Sequence, residues 1–304
     1  MRKLIDVSSY NGRVDWKKAK VYGCEGAILK IVRKDLNRDK KFNENFVACN
    51  ENEIGWGVYN YSYATTATKA KSDMELVCDI LDKIDKEYFT YGVWFDIEDK
   101  VQASLSKAKI AAIINAAQQV VEERGYLFGV YTGMSYYNEH IDRKLVKCNN
   151  WWIARYYNGN KRMQITTNPD EEKKPVAANI AWQYTSKGRF PKIISSGNSG
   201  NFDLNVLYKE PATKKVEENT KKPVKKKTVY YPKYKGKSKS LVDALKSLGI
   251  NSSKSNRKKV ASLNGIEVNL LSVNKLFEVK KAVQRWQCHP FATESIRLDN
   301  TYRN

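Results

Sequence analysis

The sequence predicts an α/β protein: a TIM-like β/α barrel over residues 1–210, a lysine-rich linker over 211–237 and a small, mainly helical module over 238–304. Three observations carry this expectation. Short apolar segments alternate with amphipathic ones through the first 210 residues, the pattern of parallel strands buried between helices. Eight strand-like segments fall within about 205 residues, which favours a compact barrel over an open sheet. Beyond residue 210 the charge changes: residues 211–304 hold 22 Lys+Arg against 7 Asp+Glu, and residues 1–210 hold 32 against 26.

The strand candidates are Leu4–Val7, Gly26–Val32, Gly55–Tyr63, Gly92–Glu98, Leu127–Tyr131, Trp151–Arg155, Ile180–Tyr184 and a last short one near Phe202–Leu207. Two helical segments between them are the clearest. Ser72–Ile84 places Met74, Val77, Cys78, Leu81 and Ile84 at helical spacing. Lys107–Glu123 does the same with Ile110, Ile113, Ile114, Ala117 and Val121, and stops before Gly125, a C-cap residue. The linker has lysine and proline with almost no apolar periodicity. After it, Ser240–Leu248 is amphipathic and ends at Gly249. Asn251-Ser-Ser then offers N-caps for a second helix, Lys254–Leu263. Two short helices bury little surface, so Ile266–Val283 or self-association must complete the module. Gln284–Asn304 has no clear periodicity.

Composition excludes several chemistries. No apolar run approaches the ~18 residues of a membrane span. The N-terminal residues lack an apolar stretch of signal-peptide length, and Asp6 interrupts what apolar character exists. The chain is thus expected to be made in the cytoplasm and to reach any outside target by another route. Five cysteines are scattered without ligand spacing, and only two histidines, His140 and His289, exist. A metal site, a Cys–His nucleophile and a Ser-His-Asp triad are all poorly supplied, and neither metal nor cofactor is expected. Cys24, Cys49, Cys78 and Cys148 read as buried free thiols.

The segment Tyr91-Gly-Val-Trp-Phe-Asp-Ile-Glu-Asp99 points to chemistry. Asp96 and Glu98, two apart on a strand, leave from one face, while Val93, Phe95 and Ile97 take the other. Crowded acids suit general acid catalysis, with one carboxyl protonated and its neighbour ionised. In a parallel barrel the working residues sit at the C-terminal strand ends. Asp6 ends the first strand, Asp96 and Glu98 the fourth, and Asp203 lies in the last segment. Tyr59, Tyr61, Tyr63, Tyr131, Trp151, Tyr156, Trp182 and Tyr184 are expected at the same edge, where aromatic faces would suit stacking on sugar rings.

The assembly resembles a known family. Ile5-Asp-Val-Ser-Ser-Tyr-Asn11 with Val14-Asp-Trp16, Gly57-Val-Tyr-Asn-Tyr-Ser-Tyr63, Trp94-Phe-Asp-Ile-Glu98, Gly129-Val-Tyr-Thr132, Trp152-Ile-Ala-Arg-Tyr156, Trp182-Gln-Tyr184 and Phe202-Asp-Leu-Asn205 are similar to motifs of glycoside hydrolase family 25, the Chalaropsis-type lysozymes of phage endolysins and bacterial autolysins. The resemblance covers roughly residues 3–208. It implies a flattened β/α barrel and cleavage of the β-1,4 bond between N-acetylmuramic acid and N-acetylglucosamine in peptidoglycan. By position it implies Glu98 as general acid and Asp96 as the ionised stabiliser of positive charge, holding the substrate's acetamido group as internal nucleophile. Asp6 and Asp203 would tune pKa values and position water or substrate. Tyr61, Tyr63, Tyr131, Tyr156 and Trp182 would contact substrate.

Two departures stand out. Asn60 occupies a position where the family often carries His, and Ile31-Val-Arg-Lys-Asp-Leu-Asn37 replaces a Thr-Glu-Gly-type segment. The C-terminal region resembles, more weakly, short helical wall-binding modules of lysins, which implies anchoring to anionic wall polymers; the likeness to phage endolysins, with no signal peptide expected, implies release by lysis or through a membrane pore. Two readings compete: a non-catalytic peptidoglycan clamp, which the four acids disfavour, and a nucleic-acid binder, which rests on basic charge alone and has no reading element.

Overall fold

The computed structural model describes residues 1–211 and the isolated positions Val242, Asp243, Lys246 and Ser252. The chain divides into two compact units, Met1–Val216 and Glu217–Asn304. The expected second helix Lys254–Leu263 and the segments beyond it lie outside the described residues; Val242, Asp243 and Lys246, within the first expected C-terminal helix, are helical.

Among the described residues nine strands form one sheet: β1 (Arg2–Val7), β2 (Gly26–Lys30), β3 (Gly55–Tyr61), β4 (Phe89–Asp96), β5 (Phe128–Gly133), β6 (Trp151–Ala154), β7 (Met163–Gln164), β8 (Ala181–Arg189) and β9 (Phe202–Leu207). The order β6-β5-β4-β3-β2-β1-β9-β8 is closed by pairing of β6 with β8, and the two-residue β7 extends from β8. Strands β1 to β6 run parallel, and β6 pairs parallel with β8. Strand β9 runs antiparallel to both β1 and β8. The barrel is therefore mixed rather than all parallel. A parallel return needs a crossover of a dozen or more residues, usually helical, and the stretch between β8 and β9 holds only a three-residue 3-10 turn, Asn198–Gly200.

The helices are α1 (Trp16–Val21), α2 (Phe42–Glu51), α3 (Ala67–Leu81), α4 (Lys100–Ala103), α5 (Lys107–Glu123) and α6 (Met134–His140). Helix α5 has the expected bounds. The Ser106 side chain accepts from Lys109 N at its start, and Gly125 adopts φ 79° just beyond its end. Helix α3 begins five residues before the periodic apolar stretch, because Thr66 caps it by accepting from Lys69 N. Among the described residues no helix is long and apolar enough to cross a membrane.

Alternation along the strands creates two cores. Outward residues such as Ile5, Val58, Val93, Phe95, Val130 and Leu204 pack against the helices. Inward residues Leu4, Ile28, Trp94, Tyr131, Trp152 and Leu207 fill the barrel. Trp94 and Trp152 meet edge-on at 5.6 Å, and Tyr131 lies 4.4 Å from Trp152. The Trp94 indole crosses Gly129, where a Cβ would run into the ring, so glycine is needed there. These rings form an apolar floor beneath the C-terminal ends of the parallel strands. The four expected cysteines are buried. Burial pushes the thiols of Cys24 and Cys78 up to about 12, far from a nucleophile's range.

Candidate active site

Strand alternation brings the acids to one mouth. Asp6 points inward from β1, two residues above Leu4, and lies opposite Asp203 in the antiparallel register of β1 and β9. Because β9 runs against the others, Asp203 reaches the mouth from the start of its strand, not from its end. Residues directly opposite in such a pair have Cβ atoms only ~4.5–5.5 Å apart, so two negative charges there repel. Asp6 is held well above the usual carboxylate range by burial and by Asp203, and donates to Asp203. Asp203 itself is pushed up to about 6, mainly by burial.

Amides fix Asp6. Gln183 Nε2 and Asn205 Nδ2 each donate to Asp6 Oδ2 at 2.8 Å. Gln183 Oε1 accepts from the hydroxyls of Tyr131 at 2.8 Å and Tyr156 at 2.6 Å. Trp152 Nε1 donates to Asn205 Oδ1 at 2.8 Å. One glutamine thus couples an acid to two tyrosines across the mouth.

Strand β4 delivers the second pair. Asp96 is its last residue and is 4% exposed; Glu98 lies two residues beyond. The backbone stays extended past the strand end because Ile97 N donates to Tyr131 O and Thr132 Oγ1 donates to Ile97 O. Glu98 thereby keeps the inward phase expected of a strand residue. Asp99 ends the extension: it accepts from Val101 N to cap α4 and from the Tyr61 hydroxyl at 3.1 Å.

Burial and the Glu98 charge drive Asp96 well above its ordinary pKa, opposed by the Lys30 ammonium. Asp96 Oδ1 is buried and has no hydrogen-bond partner among the described residues. Glu98 is also raised, by burial first and then by Asp203 and Asp99, while the backbone N–H of Gly133 pulls it down. Of the two, Asp96 is the more strongly perturbed. An Asp96 already ionised in the free barrel, as position alone implies, is therefore opposed by its burial.

Glu98 lies on an open cleft of about 610 Å³ lined also by Tyr131, Gly133, Met134, Ser135, Asn138, Ala154, Arg155 and Tyr156. The expected aromatic edge is only partly there. Tyr61 and Tyr63 pack at 5.0 Å at the mouth, with Lys34 over Tyr63. Tyr131 is 7% exposed and Tyr156 46%. Trp182 is not at the mouth. In β8 the inward residues are Ala181 and Gln183, so Trp182 faces the helices, fully buried, and donates to Arg155 O. Trp151 and Tyr184 are buried on the same outer side.

Sequence reasoning missed Lys30, whose Nζ lies 5.7 and 5.6 Å from the Tyr59 and Tyr61 rings, and the Gln183–Asn205 amides. A signal existed: each is a polar residue in phase with the inward face of its strand. Asn60, at a departure from the family pattern, is buried with Oδ1 unpartnered among the described residues. Among those residues no cluster of His, Cys, Asp and Glu is arranged to hold a metal ion.

No curated protein matched the sequence. Among solved structures, the modular autolysin LytC from Streptococcus pneumoniae, in complex with a synthetic peptidoglycan ligand, is 26% identical with a TM-score of 0.53, covering 68% of this chain and 46% of that one. The chain thus spans about half the autolysin's length. The catalytic domain of endolysin ply40 from bacteriophage P40 of Listeria monocytogenes shares the fold at 18% identity and a TM-score of 0.52, over 68% of this chain and 93% of that one. The spore cortex lytic enzyme SleM of Clostridium perfringens does so at 18% and 0.53, over 67% and 66%. The model of glycosyl hydrolases family 25 matches residues 5–193, more than half of the sequence. With that match over a closed barrel whose mouth gathers four acids, the chain belongs to glycosyl hydrolases family 25.

Proposed function

We propose that the barrel is a lysozyme, an N-acetylmuramidase that hydrolyses the β-1,4 bond between N-acetylmuramic acid and N-acetylglucosamine. The observation that carries this reading is the four-acid mouth of a family 25 barrel, open beside Glu98 and closed below by aromatic rings. Glu98 gives its proton to the glycosidic oxygen as the C–O bond breaks. Its raised pKa favours the protonated form this step needs. Asp96 accepts from the N–H of the substrate's acetamido group, whose oxygen closes on the anomeric carbon. Water then opens that ring, and its proton returns to the Glu98 carboxylate.

Asp96 acts through a difference between states. Its ionised form is disfavoured in the free barrel and favoured once positive charge develops on the sugar, and an interaction that strengthens in the transition state is the kind that accelerates the reaction. Lys30 biases Asp96 the same way beforehand. Asp6 and Asp203 hold water or substrate beside the cleft, and Tyr61, Tyr63, Tyr131 and Tyr156 contact the glycan.

Residues 211–304, with their surplus of lysine, anchor the enzyme to anionic wall polymers. Release from the cell by lysis or through a membrane pore brings it to that wall. Glu98→Gln is expected to leave folding intact and to lower lysis of Gram-positive cells by ~10²–10⁴-fold. Near-wild-type lysis by the variant overturns the assignment.

A further inference from the structure

Asn11 closes the motif Ile5-Asp-Val-Ser-Ser-Tyr-Asn11, and no step proposed above uses it. It lies just past β1 and is 5% exposed. Its Oδ1 accepts from Ser8 N at 3.0 Å, and its Nδ2 donates to Asn201 O at 3.2 Å. An N–H on one side and a carbonyl on the other fix which way the amide points. Ser8 stands two residues after Asp6, and Asn201 two residues before Asp203. One buried side chain therefore joins the segments that carry the paired acids.

That link matters because the ladder stops there. Asp6–Asp203 is the last rung between β1 and β9, and the pairing of β9 with β8 shifts register on either side of Thr185. Ahead of this rung comes a turn in which Asn198, Ser199 and Gly200 have φ of 49°, 50° and 71°. Left-handed backbone persists in non-glycine residues only where the surroundings hold it. Arg189 Nη1 donates to Ser199 O, and a Cβ on Gly200 would lie 2.8 Å from that nitrogen, so glycine leaves room for the guanidinium. Asn198 Nδ2 donates to Asn201 O at 3.2 Å. Toward β1, the Asn11 carbonyl accepts from Gly197 N at 3.1 Å and from Ser195 Oγ. That backbone hold ends at Gly197, six residues before Asp203; the side chain adds one at Asn201, two before it. We infer that Asn11 is a positioning residue: its carboxamide fixes the start of β9 and, with it, the place of the Asp203 carboxylate against Asp6.

The inference rests on the reading in which Asp203 serves the cleft, and one of its two readouts needs no activity. Around Asp203 stand Asp6 on β1, Lys187 on β8, Glu98 beyond β4, Tyr59 on β3 and Tyr156 beyond β6, and the variants alter none of them. The full chain is compared as wild type, Asn11→Ala, Asp203→Asn and the double variant. The first readout is the change in urea midpoint between pH 4 and pH 7, to which the raised Asp203 contributes. Asn11→Ala is expected to move it toward the Asp203→Asn value, because an Asp203 released from Asp6 returns toward an ordinary carboxylate. With Asp203 already Asn, the same substitution should leave it unaltered. The second readout is release of reducing ends. Asn11→Ala should lower kcat ~10-fold with KM within ~2-fold. Added to Asp203→Asn, it should lower kcat by less than ~2-fold. A purely structural Asn11 would cost both backgrounds equally. Asn11→Ser can still accept from Ser8 N but lacks the donor to Asn201; it should show the same pattern, and it carries the test if the alanine variant does not fold. Equal losses in the two backgrounds, or an unchanged midpoint difference, overturn the inference. A wild type that releases no reducing ends removes the muramidase reading instead, and the midpoint difference then decides alone.

Discussion

Gln183 shows how one side chain organises this mouth. Its amide nitrogen serves Asp6 and its carbonyl serves two tyrosines, so no apolar residue of similar size can replace it without orphaning buried groups. Gln183→Leu is expected to cost ~2–3 kcal/mol, measured by urea unfolding, because buried polar atoms left unpaired carry their full desolvation penalty. Asp203 makes a second prediction, in pH. Its folded pKa of about 6 lies above the unfolded ~3.9. The folded state therefore holds the extra proton between those values, and stability from this group is full below about 4 and falls as pH rises through about 6. Asp203→Asn should flatten that fall, so that urea midpoints at pH 4 and pH 7 move closer together than in wild type. With Asp96 and Glu98 both raised, both limbs of the activity–pH profile should lie above the ~4 of ordinary carboxylates.

Among the elements, β4 delivers two of the four acids and is itself irregular. Its pairing with β3 shifts register between Trp56 and Val58, and Gly92 opposite the shift adopts φ 70°. A Cβ at Gly92 would lie 2.6 Å from Leu127 atoms in the left-handed region that favours glycine. Gly92→Ala should cost ~1–3 kcal/mol of stability by thermal unfolding and misplace Asp96 and Glu98 in the process. The eight barrel strands were legible, because each is a short β-rich apolar run between breakers; the two-residue β7, Met163–Gln164, was not, being too short to carry a pattern. Helix α5 was legible from periodicity and from Gly125 beyond its end. The direction of β9 was not, since a short apolar strand reads the same either way; only the missing helix before it hinted at the reversal. Trp182 was misplaced for a related reason. Strands buried on both faces lack apolar–polar alternation, so their apolar residues do not tell which face is inward. Gln183, the lone amide in that run, was the usable clue.

For the whole molecule, the acids of the mouth were legible as residue types at strand ends, but their pairing was not: Asp6 meets Asp203 only because β9 closes the barrel beside β1. Charge adds a second level. With 22 Lys+Arg against 7 Asp+Glu in residues 211–304, binding of the full chain to purified walls should weaken as salt rises from low to physiological ionic strength, where screening acts within ~8 Å. Walls stripped of anionic polymers should bind less and respond less to salt, which a pull-down measures directly. The central claim concerns which bond is cut. Mass spectrometry of peptidoglycan digested by the full chain should show N-acetylmuramic acid at the new reducing ends; N-acetylglucosamine at those ends, or free stem peptides with intact glycan, would contradict it.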